Sequence, residues 1–196
     1  VTDAGGRVVY LITCGSPPAR DVGRAVALAQ SDGWTACVVT SPAGRGFLDV
    51  RAVARQTGYP VRSGFKQPDE PDLLPAADAM LVAPATVNTV VKWAAGIADT
   101  LPLGLLVEAI GRRIPRVAVP FTNDAMAAHP AFGHSVRLLR SWGVEVLYGP
   151  DVLPGFGPGR GDSMVAAFPW ERAWAALRTR GAAGDGPACP APGDRP

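Results

Sequence analysis

Two kinds of apolar pattern alternate along this chain. In residues 7–14, 35–40, 78–84, 116–120 and 144–148, apolar side chains run almost without interruption. Runs of that length read as β-strands buried on both faces. Between them, apolar residues recur at helical spacing. Residues 21–30 place Val22, Val26 and Ala29 on one face, with Gly33 as the stop. Residues 47–56 carry Leu48, Val50 and Val53, and residues 86–97 carry Val87, Val90, Val91 and Ala94. Stretches 102–110, 130–142 and 168–180 complete the helices, the first two ended by Gly111 and Gly143. Five buried strands separated by helices imply an α/β protein, a parallel sheet with helices on both faces.

In such sheets a ligand binds in the crevice at the carboxyl ends of the strands. Four of those ends carry suggestive residues: Cys14-Gly15-Ser16, Thr40-Ser41, Pro84-Ala85-Thr86-Val87-Asn88 and Pro120-Phe121-Thr122-Asn123. Their convergence on one edge is the geometric expectation. Helix capping explains each of them separately as well.

Composition narrows the setting. Of 196 residues, 47% are apolar and 18% charged, which suits a folded domain. The formal charge is +2, from 19 basic and 17 acidic residues, giving no electrostatic case for nucleic acid. No apolar run approaches the roughly 18 residues of a membrane span, and no signal-peptide order precedes the first strand. Cys14, Cys37 and Cys189 are far apart and form neither a CxxC pair nor a zinc spacing, so no metal is expected. A reduced cytoplasmic compartment fits that usage. One folded domain over residues 1–180 is expected. Residues 181–196, rich in Gly, Pro and Ala with no large apolar side chain, read as a disordered tail.

The stretch from Leu81 to Leu101 decides the chemistry. Pro84, Ala85, Asn88, Thr89, Lys92, Gly96, Ile97, Asp99 and Leu101 match the spaced signature of the homo-oligomeric flavin-containing cysteine decarboxylases. That family includes phosphopantothenoylcysteine decarboxylase and the decarboxylases of lantibiotic-type peptides. The resemblance extends over roughly residues 7–178. Gly15-Ser16 is similar to the family's first phosphate-side turn, and Val38–Ala43 with Phe47 to its second-strand segment. Pro120–Met126 falls where the family carries a PxMNxxMW motif, and Gly157-Pro-Gly159-Arg160 where it carries a glycine-rich substrate clamp. The resemblance implies an FMN-binding, Rossmann-like (flavodoxin-like) three-layer fold. It implies homotrimers or a dodecamer, with the flavin held between subunits. Gly15, Ser16, Thr40, Ser41, Phe47, Ala85, Thr86 and Asn88 become the expected cofactor contacts. Thr122, Asn123, Gly157, Gly159 and Arg160 become the expected substrate contacts, and Asn123 and Met126 are placed at the reaction centre. The substrate implied is a peptide with a C-terminal cysteine, oxidised and decarboxylated to an enethiol.

The departures from the pattern carry information too. The family's active-site histidine aligns with Glu70, which reads either as a replacement base or as an exposed loop acid. Thr122 replaces the motif methionine and Ala127 the motif tryptophan. The pantothenate enzymes carry a cysteine before the clamp that reduces the enethiol; here Leu153 stands there. That favours an oxidative product. Phosphopantothenoylcysteine decarboxylation and a non-catalytic flavin-binding partner subunit are the alternatives. His129, Lys92, Trp93, Trp170 and Trp174 read as structural, and Arg160-Gly-Asp162 as loop rather than adhesion motif.

Overall fold

The computed structural model describes residues 6–183. Its centre is a parallel sheet of β1 (Val8–Thr13), β2 (Thr35–Thr40), β3 (Ala79–Ala85), β4 (Arg116–Pro120) and β5 (Glu145–Val146), in the order β2-β1-β3-β4-β5. This is the flavodoxin-like order, whose direction of winding reverses between β1 and β3. The helices are α1 (Val22–Ser31), α2 (Val50–Thr57), α3 (Val87–Ala94), α4 (Leu101–Gly111), α5 (Asp124–Ala127), α6 (Pro130–Ser141) and α7 (Trp170–Ala183).

Alternation along the strands divides the core in two. Val9 and Leu11 of β1 face one cluster with Val22 and Val26 of α1 and Trp170, Trp174 and Leu177 of α7. Val8, Tyr10 and Ile12 face the other, with Val90 and Trp93 of α3, Leu103 and Leu106 of α4 and Phe132 of α6. Trp93 is fully packed and its indole N–H donates to the Leu106 carbonyl at 3.0 Å. The Trp174 indole donates to Asp32 at 2.7 Å, tying α7 to the end of α1. Buried Arg116 donates to the carbonyls of Ala109 and Trp142, at the last turns of α4 and α6. There its positive charge meets the negative ends of both helix dipoles.

Four local expectations shift. The helix expected from residue 47 begins at Val50, because the Asp49 side chain accepts from the Ala52 N–H at 2.9 Å and caps it there. Phe47 therefore lies in a preceding 3-10 turn, partly exposed. The last strand pairs only over Glu145–Val146. The short α5 was not expected; Asn123 nucleates it by accepting from the Met126 N–H at 2.9 Å. Helix α7 runs past residue 180, and the tail expected beyond it lies, from residue 184, outside the described residues.

Candidate functional site

The carboxyl ends of β1, β2, β3 and β4 do converge. They enclose a cavity of about 580 Å³, within the range of small-molecule sites. Gly15, Ser16, Ser41, Thr86, Asn88, Thr122, Asn123, Met126 and Gly159 all line it. No charged side chain is among its lining residues.

One end of the cavity is built by two turns in close contact. A Cβ at Gly15 would lie 2.9 Å from the Ala43 Cβ, so the turn after β1 sits against the turn after β2. At Gly44 a Cβ would collide with the Thr40 hydroxyl and come within 3.1 Å of the Cys14 carbonyl carbon. Only glycine permits that approach. The Ser41 hydroxyl accepts from the Gly44 N–H at 3.0 Å. Beside it, Ser16 is 7% exposed and its hydroxyl has no partner among the described residues; neither has that of Thr13. An unpartnered buried hydroxyl in a cavity wall, beside glycine turns, is what an anionic group would satisfy.

The floor follows from β3 and α3. Thr86 caps α3, and its hydroxyl lies 3.1 Å from that of Thr89, which donates to the Cys14 thiol at 3.1 Å. Burial pushes the Cys14 thiol up, and Cys37 to about 12, so both are neutral, unreactive thiols at ordinary pH. Helix α3 ends where Gly96, at φ +69°, lets the Ile97 N–H return to the Lys92 carbonyl at 2.9 Å. The Lys92 ammonium pairs with Asp99 and takes no part in the cavity.

The opposite wall comes from β4 and the segment before α7. Phe121 and Phe156 stack at 5.0 Å between ring centres and both face the cavity. The Asp124 N–H donates to the Phe156 carbonyl at 2.9 Å, fastening this segment to α5. Arg20 pairs with Asp162, and Arg172 with Asp151 at 2.9 Å, holding the segment at either end. Asp162 is thus part of a surface ion pair within the chain.

Other expected residues lie elsewhere. Thr40 and Ala85 are buried behind the wall, Thr40 donating to the Thr13 carbonyl at 3.3 Å. Phe47, Gly157 and Arg160 are exposed and outside the lining. Glu70 sits in a separate exposed loop, where its carboxylate accepts from the Gln67 N–H at 2.9 Å. That loop also presents Phe65 and Leu73, large apolar side chains 59% and 51% exposed. His129 caps α6 through Nδ1, which accepts from the Ala131 N–H at 3.2 Å. Sequence reasoning missed Thr100, Pro102 and Leu103, which reach the cavity from the start of α4. Their signal was position, directly after the matched segment ending at Leu101.

A family model described as Flavoprotein matches residues 28–169. The chain belongs to the flavoprotein family. Among curated relatives, this flavoprotein is 39% identical over 71 residues to a cysteine/cysteine sulfinic acid decarboxylase from an unknown prokaryotic organism, covering 36% of this chain and 19% of that protein. It is 26% identical over 165 residues to the coenzyme A biosynthesis bifunctional protein CoaBC of Escherichia coli K12, covering 79% of this chain and 40% of that one. The flavoprotein thus spans less than half the length of either relative. Among solved structures, the FMN-dependent cysteine decarboxylase SpaF superposes with a TM-score of 0.65 at 25% identity, over 87% of this chain and 98% of SpaF. MrsD from Bacillus sp. HIL-Y85/54728 shares the fold, with a TM-score of 0.69 at 16% identity over 92% and 99% of the two chains. Among the described residues, no helix is long and apolar enough to cross a membrane.

Proposed function

We propose that this chain is an FMN-dependent oxidative decarboxylase acting on the C-terminal cysteine of a ribosomally made peptide. The make-up of the main cavity carries the reading: a hydroxyl-and-glycine cradle at one end, and carboxamides on an otherwise apolar wall. The cradle fits a flavin phosphate, with Ser16, Ser41 and backbone N–H groups as donors. Val87, Leu103 and Phe121 fit a flat aromatic ring, and the exposed Asn88 amide fits its polar edge. The likeness to SpaF supports the same cofactor.

When bound, FMN supplies the two-electron acceptor for the cysteine Cβ hydride as the thiol loses its proton; the resulting thioaldehyde releases carbon dioxide to leave an enethiol. This chain's residues bind, orient and exclude water. Asn123 spends its carbonyl oxygen on the Met126 N–H, which fixes its orientation and leaves its NH₂ as a donor for the substrate carboxylate. Thr122, Met126 and Gly159 shape the mouth. The strap through Gly157 and Arg160, anchored at Phe156 and Asp162, closes over the peptide. Glu70 serves as the base across a subunit boundary: it is outside its own cavity, on a loop whose exposed Phe65 and Leu73 suit burial against another copy. A trimer or dodecamer with shared cavities meets that need.

Phosphopantothenoylcysteine decarboxylation is the second reading, supported by the match to CoaBC. Leu153 weighs against it, since it packs on the sheet core and offers no thiol, while Cys14 and Cys37 are buried and neutral. Mass spectrometry of FMN-loaded protein with each substrate decides between them. Loss of carbon dioxide and two hydrogens from a cysteine-terminated peptide is expected. Loss of carbon dioxide alone from phosphopantothenoylcysteine would favour the second reading. No change in either, with flavin bound, would refute both.

A further inference from the structure

Beside the main cavity lies a smaller one of about 230 Å³, at the carboxyl ends of β4 and β5 and under the 149–155 segment. Thr122 lines both, so the two cavities adjoin at that side chain. The smaller cavity has an apolar side, from Leu147, Val152 and Leu153, and a polar side, from Asp124 and Tyr148. Among the described residues, only Asp21, Asp69 and Asp124 have carboxylates with neither a hydrogen-bond nor an ion-pair partner. Of these, Asp124 lines this cavity. Its carboxylate, on an exposed residue, lies close against the covering segment: a Cβ at Gly155 would lie 2.7 Å from Oδ1. The Tyr148 phenol is pushed up by burial and then by the nearby Asp124 charge, so it stays a neutral hydroxyl beside that carboxylate.

We propose that this side cavity selects a basic residue immediately before the substrate's C-terminal cysteine, its alkyl stem on Leu147, Val152 and Leu153 and its cationic head on Asp124 and Tyr148. Neighbouring residues of a peptide are about 3.8 Å apart at Cα, so two cavities sharing one wall residue take consecutive side chains. An alkyl stem with a charged tip satisfies both sides of the cavity, whereas an acid would meet an unpaired like charge. The inference rests on the cysteine-terminated peptide reading above.

The test uses FMN-loaded protein and two peptides, Ser-Ser-Ala-Lys-Cys and Ser-Ser-Ala-Glu-Cys, with dissociation constants by calorimetry and kcat/KM by mass spectrometry. The lysine peptide is expected to be favoured about tenfold, one attraction gained and one repulsion avoided at a partly hydrated site. High salt shrinks the preference. Asp124→Asn brings the ratio near parity, and Asp124→Lys inverts it. Binding of both peptides without a charge preference, or a preference that survives both substitutions, overturns the inference and leaves the proposed function standing. Failure of both peptides to bind or react overturns the two together.

Discussion

Ser16→Ala is expected to move two properties in opposite directions. Ser16 lines the main cavity, and its hydroxyl is buried with no partner among the described residues. A buried hydroxyl left unsatisfied costs about 1–3 kcal/mol. As a neutral group it is placed at the lower end of that range. Removing it stabilises the flavin-free protein by about 1 kcal/mol, a rise of about 2–4 °C in Tm for a domain of this size. The same hydroxyl is assigned to the flavin phosphate. A hydrogen bond to a charged group contributes about 1.5–3 kcal/mol, so its loss weakens FMN binding by about 10- to 150-fold. Thermal melts of flavin-free protein and titration of flavin fluorescence read the two effects separately. A lower Tm together with an unchanged FMN affinity would refute the assignment: Ser16 would then be a structural turn residue and the phosphate would lie elsewhere.

Gly44→Ala forces a methyl group against the Thr40 hydroxyl and the β1 turn, and is expected to cost about 1–3 kcal/mol in the melt and to abolish tight FMN uptake. Gly46→Ala, with nothing within 4 Å of the added atom, serves as the control that does neither. Asn123→Ser keeps a helix-capping oxygen but removes the amide donor, so Tm holds while peptide turnover falls on the order of 100-fold; equal turnover would take Asn123 out of the site. Glu70→Gln, outside the cavity of its own chain, leaves FMN uptake intact and lowers kcat on the order of 100-fold; an unchanged kcat would remove Glu70 from the mechanism. Burial raises Tyr10 and Cys37 to about 12, so the folded state favours their neutral forms. Their contribution is fully present below the unfolded pKa values and is lost as pH rises through the folded ones, so Tm falls between pH 9 and 12. Cys37→Ala combined with Tyr10→Phe flattens that fall.

The strands and long helices were legible because each is a core element whose period is written in apolar residues. Val9 and Leu11 alternate with Val8, Tyr10 and Ile12, and the two clusters they enter follow from that alternation. The cradle was legible at Gly15, Ser16 and Ser41, where strand ends and small residues coincide. What pattern could not show was where a side chain goes once its backbone turns. Phe47 follows a strand end in sequence, yet Asp49 restarts the chain as α2 and leaves the ring outside the cavity. Thr100, Pro102 and Leu103 come to the cavity because α4 folds back over α3, a tertiary fact with no local signature. Glu70 matched a position but not a place: alignment fixes its order in the chain, whereas the fold puts it on an exposed loop outside the main cavity. The side cavity was likewise hidden, since Asp124 and Tyr148 are distant in sequence and meet only through the pairing of β4 with β5.

The central claim is that a flavin in the main cavity takes electrons from a peptide's terminal cysteine. The most direct measurement is the visible absorption spectrum of the FMN-loaded protein, recorded anaerobically before and after addition of a cysteine-terminated peptide. The account predicts bleaching of the flavin bands in proportion to enethiol formed, with no bleaching by the same peptide ending in serine. A bound flavin whose spectrum no cysteine-terminated peptide changes would contradict it.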